Sequence, residues 1–255
     1  MAPCNQEMLI CPKNKFIFFK PVKCAGTSIE FAFSKCTDEN ALITGSTVGG
    51  KIEYPSRNNL FIDEFGNNKI RFHTHTWPEL FFSRILNKEM YSSYKIITAV
   101  RNPWETLVSY YWYLVSNQKD DAKREYLTIR NYDPAKEIQD KFKNVCLTPG
   151  LFPIEIVSEI GCLNGQMSSL EYLLETNSRF VDEKIDFYIK YEKLEKDFKE
   201  ACAILDLGEI NLPRFKTKQR ASSLHYSEYY SDEMKNLVEN NFSKIINTFE
   251  YDFKN

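Results

Sequence analysis

The stretch with the clearest chemical character is KPVKCAGTS, residues 20–28, which follows a short apolar run and precedes a helical pattern. Gly26 allows the backbone to approach a ligand closely, and the amides around it can converge on an anion at the start of the helix. Lys23 adds a positive charge, and Thr27 and Ser28 add hydroxyl donors. The loop is not a Walker A motif, because that motif has its lysine after a second glycine. The alternative is an ordinary strand-to-helix turn with a Thr-Ser cap.

A second candidate anion site lies in ITAVRNPWETLVSYYW. Arg101 falls at the end of a predicted strand, Pro103 begins a helix, and Ser109 lies about two turns into it. An arginine can bind a phosphate through two parallel hydrogen bonds. The alternative is that Arg101 pairs with a carboxylate such as Glu105 and that Ser109 is a buried small polar residue.

Two histidines follow one another closely in RFHTHTWPEL. His73 and His75 are two residues apart, so on a strand they point to the same face. Imidazole titrates in the range that suits a base for a hydroxyl proton, and His75, nearer the strand end, is the preferred candidate. The alternatives are structural histidines or a metal site, for which no third ligand is evident. His225 is interpreted as structural.

The elements that must position these residues are predicted from short apolar runs. Strands are expected at 15–20, 94–101 and 185–192, the first two followed directly by helices. Further expectations are a loop over 37–59, two strands around a turn at 66–68, a helix from Trp77-Pro78, and a long last helix capped by Ser231. Repeated strand-turn-helix units predict an α/β fold with a mostly parallel sheet covered on both faces, which binds ligands at the carboxyl ends of its strands.

Composition narrows the function classes. The 255 residues are 43% hydrophobic and 27% charged, which excludes a disordered or fibrous protein. The formal net charge of -2 predicts neither a nucleic-acid nor a membrane partner, so an anionic ligand must be held locally. The absence of a membrane-length apolar run or a secretory pattern in this sequence favours a cytoplasmic location. Seven cysteines without a CxxC pair predict reduced thiols and no metal site, with a Cys146–Cys162 bridge left open.

Taken together, the motifs resemble the sulfotransferase superfamily, whose members use 3′-phosphoadenosine 5′-phosphosulfate (PAPS). KFIFFKPVKCAGTSIE resembles the family's 5′-phosphosulfate loop, and ITAVRNPWETLVSYYW resembles its 3′-phosphate element. IDFYIKYEKLEKDFKEACAILDL and the tyrosine-rich segment LHYSEYYSDEMKNLVENNFSKIINTFEYDF resemble the carbohydrate, heparan-uronyl-like branch, sulfotransferase family 2. The His-x-His pair resembles the same branch.

The resemblance implies a role for each matched residue. Lys23 would stabilise the leaving group at the oxygen between phosphate and sulfate, and His75, with His73 beside it, would supply the base. The 5′-phosphate would be bound by the loop residues Cys24, Ala25, Gly26, Thr27 and Ser28. The 3′-phosphate would be bound by Arg101 and Ser109, and Lys218 or Arg220 would complete the nucleotide cleft. PAPS is then the cosubstrate and adenosine 3′,5′-bisphosphate (PAP) the product, with no metal required.

The resemblance implies a P-loop-like three-layer sandwich with a central, mostly parallel sheet flanked by helices. One sulfotransferase domain would span residues 1–255, with residues 1–14 as an N-terminal extension and 37–68 and 117–150 as acceptor-side insertions. The expected reaction moves a sulfuryl group to a hydroxyl, or secondarily an amine, of a glycan or small metabolite. The alternatives are an ATP-dependent kinase with a variant phosphate loop, which lacks a clear metal-binding acid here, and a non-catalytic nucleotide- or glycan-binding protein of the same fold.

Overall fold

A computed structural model describes residues 7–48, 51–54, 57, 60–62, 69–71, 92–116, 184–215, 224–230 and 232–254. The chain forms two compact units. Unit 1 comprises Met1–Val100 and Glu183–Phe215, and unit 2 comprises Arg101–Asp182 and Lys216–Asn255. Each unit is described by itself.

Unit 1 is built on a five-stranded sheet. Its strands are β1 (Glu7–Cys11), β2 (Phe16–Lys20), β3 (Leu42–Ile43), β8 (Lys95–Val100) and β9 (Phe187–Lys190). Their order across the sheet is β3-β1-β2-β8-β9. The pairings β2–β8 and β8–β9 are parallel, whereas β1 is antiparallel to both of its neighbours. Four strands therefore run in one direction and β1 in the other, so the sheet is mixed.

Two antiparallel hairpins complete the strands of unit 1. One pairs β4 (Ser46–Val48) with β5 (Lys51–Tyr54), and the other pairs β6 (Leu60–Ile62) with β7 (Lys69–Arg71). The second hairpin confirms the two strands expected around the turn at 66–68. The prediction of a loop over 37–59 is wrong, because β3, β4 and β5 lie within it.

The core of unit 1 lies between the sheet and two helices, α1 (Gly26–Ser34) and α3 (Leu194–Ile204). The ring of Phe33 lies 5.3 Å from Phe16, 5.6 Å from Phe18 and 5.2 Å from Phe198, measured between ring centroids. Side chains of a strand alternate between its two faces, and all five residues of β2 are buried. Both faces of β2 are thus covered, as a near-continuous apolar run predicts. The three-layer arrangement stays a prediction.

Residues 7–11, which fall within the expected N-terminal extension, form β1, and this strand lies inside the sheet between β3 and β2. The strand is five residues long and pairs in full register with β2, from Glu7 opposite Lys20 to Cys11 opposite Phe16. An apolar run this short, EMLIC, is easily missed because it forms a strand only when a neighbouring strand supplies its hydrogen bonds.

Unit 2 contains α2 (Pro103–Ser116), a 3-10 turn at Tyr226–Tyr229, α4 (Asp232–Asn241) and α5 (Ser243–Phe249). The long last helix predicted from the apolar stripe is divided in two, because Phe242 between α4 and α5 departs from helical geometry, with φ -104° and ψ 17°. Phe242 is nevertheless buried, and its amide donates to the carbonyl of Val238 at 2.8 Å. The apolar stripe therefore continues through the break. Ser231, the predicted cap, lies outside the described residues.

The described cysteines Cys11, Cys24, Cys36 and Cys202 form no disulfide, which agrees with the prediction of reduced thiols for these four. Burial, with a smaller contribution from Cys36, raises the pKa of the Cys202 thiol to about 11. A thiol with so high a pKa is a packing residue and a poor nucleophile. Cys146 and Cys162 lie outside the described residues, as do the helix expected from Trp77 and the insertion at 117–150.

Candidate functional site

The loop that connects β2 to α1 has an unusual backbone. Lys23 and Ala25 adopt left-handed conformations, with φ of 62° and 60°. Such conformations are uncommon for residues other than glycine and occur where the surrounding structure holds them, often at binding sites. Cys24 is buried between them, and its thiol donates to the carbonyl of Val22 at 3.4 Å. The loop turns sharply, and α1 begins at once.

The first turn of α1 presents backbone amides in the manner expected of an anion site. Its cap residue is Ala25, which supplies no side-chain hydrogen bond, and the turn contains no acidic residue. The Ala25 carbonyl accepts the amides of Ser28 at 2.9 Å and Ile29 at 3.2 Å, and these two bonds begin the helix. The positive end of the helix dipole is therefore not neutralised by a carboxylate of its own first turn, which favours a bound anion.

Gly26 is required by close packing. A Cβ atom at this position would overlap Cγ of Lys20 and would lie 3.1 Å from Cδ and 3.3 Å from Cε. The lysine side chain thus runs directly beneath the first turn of α1. The sequence predicted a glycine here so that a ligand can approach the backbone. The structure gives a packing reason for the glycine, the closeness of the Lys20 side chain.

The two hydroxyl residues of the loop lie in different surroundings. Ser28 is buried, and its Oγ accepts the backbone amide of Phe215 at 3.2 Å. This bond holds the segment after α3 against α1, so Ser28 has a structural role whether or not it also contacts phosphate. Thr27 and Lys23 are both half-buried.

An ion pair beneath the loop was not predicted from the sequence. Lys20, the last residue of β2, lies with its Nζ 3.2 Å from Oε2 of Glu30 in α1, and both side chains are buried. The signal was present, since both charged residues stand within otherwise apolar stretches, KFIFFK and IEFAF. Charged residues in such positions are rarely buried unless they are paired.

In unit 2, Arg101 follows directly after β8 and forms an ion pair with Glu105. The Nη2 atom lies 2.9 Å from Oε1 of the carboxylate, and the arginine side chain is 8% exposed. The pairing considered as an alternative is therefore present. A guanidinium has five N–H donors, more than one carboxylate oxygen accepts. Ser109 is half-buried, not buried, and lies one turn beyond Glu105 in α2.

Asn102 fixes the start of α2, and sequence reasoning missed it. Its Oδ1 accepts the amides of Trp104 at 3.0 Å and Glu105 at 3.4 Å, which makes it the side-chain cap of the helix. Its Nδ2 donates to the hydroxyl of Tyr226 at 3.3 Å and to the carbonyl of Asp252 at 3.1 Å. An Asn directly before Pro at a helix start is the signal that could have found it.

The C-terminal residues reinforce this corner. The ring of Phe253 makes edge contacts with Trp104, Tyr226 and Tyr230 at centroid distances of 5.5, 6.0 and 5.5 Å. The Tyr230 hydroxyl donates to the carbonyl of Trp104 at 2.7 Å. These tyrosines and the tryptophan are buried in unit 2.

Four predicted site residues, His73, His75, Lys218 and Arg220, lie outside the described residues. Their roles stay predictions. Among the residues that the structure describes, no group of three His, Cys, Asp or Glu side chains is placed to hold a metal ion. Within the same residues, no helix combines the length and the apolar character needed to cross a membrane.

The fold and the loop define a class of protein: an α/β protein with a phosphate-type loop, residues 21–25, between the buried strand β2 and the helix α1. The comparison with family profiles identifies it further. The profile of the Sulfotransferase family, of the family 2 type, matches residues 6–158, more than half of the chain. The protein therefore belongs to the sulfotransferase family, which confirms the resemblance. Comparisons with curated proteins and with solved structures gave no match.

Proposed function

We propose that this member of the sulfotransferase family transfers a sulfuryl group from PAPS to a hydroxyl, or secondarily an amine, of a glycan or small metabolite. The observation that carries the proposal is the corner between β2 and α1. Its helix start has no side-chain cap, no acidic residue in the first turn, and Lys23 in the preceding loop. This corner lies within the residues that the family profile matches, as do Arg101, Ser109 and both histidines.

The residues of the loop suit the 5′-phosphosulfate end of the donor. The amides at the start of α1 would bind phosphate oxygens, since they are donors aligned with the positive end of the helix dipole. Lys23 would stabilise the charge that builds up on the bridging oxygen as its bond to sulfur breaks. The electron pair of that bond remains on the phosphate, which gives PAP.

Arg101 suits the 3′-phosphate end. Its ion pair with Glu105 holds the guanidinium in one orientation, and a guanidinium forms charge-assisted hydrogen bonds with phosphate oxygens. β2 and β8 are adjacent and parallel, so both strands end at the same edge of the sheet of unit 1. Ser109, and Lys218 or Arg220, would add further contacts to the nucleotide.

His75 would act as the base. It would take the proton of the acceptor hydroxyl while the oxygen forms its bond to sulfur, and His73 would stand beside it on the same face of the strand. His75→Ala should abolish turnover and leave PAP affinity nearly unchanged. His225→Ala is a suitable control, because the exposed His225 contacts Ser227 and the ring of Tyr226 in a 3-10 turn and is not assigned to the donor or the acceptor. An equal loss of turnover and PAP affinity in His75→Ala would remove His75 from the role of base.

The decisive experiment is a thermal-shift titration followed by transfer from labelled PAPS to a set of hydroxyl and amine acceptors. Stabilisation by PAP without magnesium, together with labelled product, supports the proposal. Stabilisation only by ATP with magnesium would indicate a kinase instead. PAP binding without transfer to any acceptor would indicate a nucleotide-binding protein of the same fold.

A further inference from the structure

The pair of Lys20 and Glu30 spans the two ends of the phosphate-type loop. Lys20 is the residue before the loop, and Glu30 lies in α1, which the loop enters. The ammonium and the carboxylate are 3.2 Å apart, with side-chain exposures of 5% and 0%. The pair therefore ties the end of β2 to the helix whose first turn would bind the 5′-phosphate.

Glu30 is held from a second side as well. Its Oε1 accepts the backbone amide of Thr44 at 3.0 Å and the Thr44 hydroxyl at 2.8 Å. The Thr44 Oγ1 in turn accepts the amide of Met8 in β1 at 3.2 Å. The carboxylate thus accepts three hydrogen bonds, two from Thr44 and one from Lys20. Through Thr44 it is also connected to β1, the neighbour of β2 in the sheet.

Lys20 also supports the loop through its apolar stem. Its Cγ, Cδ and Cε atoms lie where a side chain at Gly26 would otherwise point. The first turn of α1 consequently lies directly on the lysine side chain. The distance between β2 and the amides of this turn is set by the thickness of that stem.

Replacing a buried ion pair with apolar groups of similar volume is often neutral or stabilising, so stability alone is a weak reason for the pair. The loop offers a better reason. Lys23 and Ala25 are both left-handed, and such strained residues persist only where the surrounding structure fixes them. A charge pair across the loop fixes its ends with a directional contact that an apolar pair does not provide.

We propose that Lys20 and Glu30 are positioning residues, which set the phosphate-type loop and the first turn of α1 for donor binding. The inference rests on the proposed function, because PAPS is taken as the ligand of that loop. Neither residue contacts the donor in this proposal. Both act through the backbone of residues 21–26.

The test compares Lys20→Met, Glu30→Gln and the double variant for thermal unfolding and for PAP affinity by calorimetry. Each single variant should lower Tm by about 10 °C, because it removes one partner of a buried ion pair. The double variant should recover most of the Tm but still bind PAP about 10- to 100-fold more weakly, since a small misplacement of binding groups has effects of this size. Full recovery of both Tm and PAP affinity would show that the pair is merely structural and would overturn the proposal.

A steric test addresses the same device. Gly26→Ala should weaken PAP binding, because the new Cβ overlaps the Lys20 stem. The same change in a Lys20→Ala background should weaken it by clearly less, relative to that background. Equal weakening in both backgrounds would show that Lys20 does not set the position of the turn. Lys95→Met is the matched control and should leave PAP affinity unchanged. Lys95 is the first residue of β8, at the end of the strand away from Arg101, and its exposed side chain lies 3.7 Å from the Asp186 carboxylate.

Failure of the proposed function can be distinguished from failure of this inference. If the wild-type protein binds no PAP, the proposed function fails, and hydrogen exchange then decides the inference. In the double variant, the amides of Ser28 and Ile29, which donate to Ala25, should exchange at least about tenfold faster. The amide of Leu205, directly after α3, donates to the Ala201 carbonyl and should exchange at the wild-type rate. Unchanged exchange at Ser28 and Ile29 would overturn the inference.

Discussion

The first backbone amides of a helix have no partner within the helix. Two strand-to-helix corners of this protein differ in what they offer to these amides. At the corner between β2 and α1, the helix has no side-chain cap, and two loop residues adopt left-handed conformations. At the corner between β8 and α2, the Asn102 side chain caps the helix, and Glu105 lies in its first turn. At the first corner, backbone amides are the groups that can bind an anion. At the second corner, Asn102 accepts two of the amides, and the group that can bind an anion is the side chain of Arg101.

The difference indicates how each corner would recognise a phosphate. Backbone amides at a helix start bind an anion wherever the loop geometry is kept, so side-chain substitutions there should affect affinity mainly through geometry. A guanidinium binds through its own N–H groups, so removing it removes the contact. The predictions below test this division: two concern the donor and two concern stability, each pair taken from the larger expected effect to the smaller.

The largest effect is expected for Lys23→Met. Because Lys23 is assigned to the charge that develops during transfer, kcat should fall about 100- to 1,000-fold, while PAP affinity should change by about tenfold or less. Steady-state kinetics with PAPS and calorimetry with PAP measure the two quantities. A loss of affinity as large as the loss of kcat would make Lys23 an ordinary phosphate-binding residue and would weaken the contrast with Arg101.

Arg101→Ala should have the next largest effect. Loss of a charge-assisted contact is worth about 1.5–3 kcal/mol, so PAP should bind about 10- to 150-fold more weakly. Glu105→Gln, which removes the ion pair but keeps the guanidinium, should weaken PAP binding by much less. If Arg101→Ala binds PAP as tightly as the wild type, the ion pair with Glu105 is the whole role of Arg101 and the assignment to the 3′-phosphate is wrong.

Asn102→Ala tests whether the second corner depends on its cap. The substitution removes the cap of α2 and leaves the buried hydroxyl of Tyr226 and the carbonyl of Asp252 without this amide, so the free energy of unfolding should fall by about 2–4 kcal/mol. Urea denaturation measures it. Asn102→Asp is a useful comparison, since it keeps the capping oxygen but replaces the Nδ2 donor with a second carboxylate oxygen. A change below about 0.5 kcal/mol in Asn102→Ala would mean that other contacts hold this corner.

The smallest effect is expected at the first corner. Ala25→Gly removes a left-handed alanine, which relieves about 1–2 kcal/mol of strain but adds a similar conformational entropy to the unfolded chain. The free energy of unfolding should therefore change by less than about 1 kcal/mol, again measured with urea. Gly208→Ala is the counterpart, because Gly208 has φ 71° and an added Cβ would meet no atom within 4 Å, so the change should destabilise unit 1 through backbone strain alone. A large loss in Ala25→Gly would show that the Ala25 side chain itself is needed.

Local sequence patterns determined much of this protein. The runs that form β2, β8 and β9 were predictable because each is apolar over a few residues, and the starts of α1 and α2 were predictable from Gly26 and Pro103 directly after such runs. The motifs also placed Lys23, Gly26 and Arg101 at strand-to-helix corners, and the structure describes all three there. The family followed from the order of those motifs, and the profile match over residues 6–158 agrees.

The tertiary structure decided what depends on partners far along the chain. β1 and β3 are short and become strands only through pairing, and the break at Phe242 leaves the apolar periodicity unchanged. Glu30 meets Thr44 fourteen residues away, and Asn102 meets Asp252 one hundred and fifty residues away. The burial of Lys20 is the clearest case, since the fold brings a carboxylate to its buried charge. Residue type and spacing state which groups are available, but desolvation and pairing are properties of the folded chain.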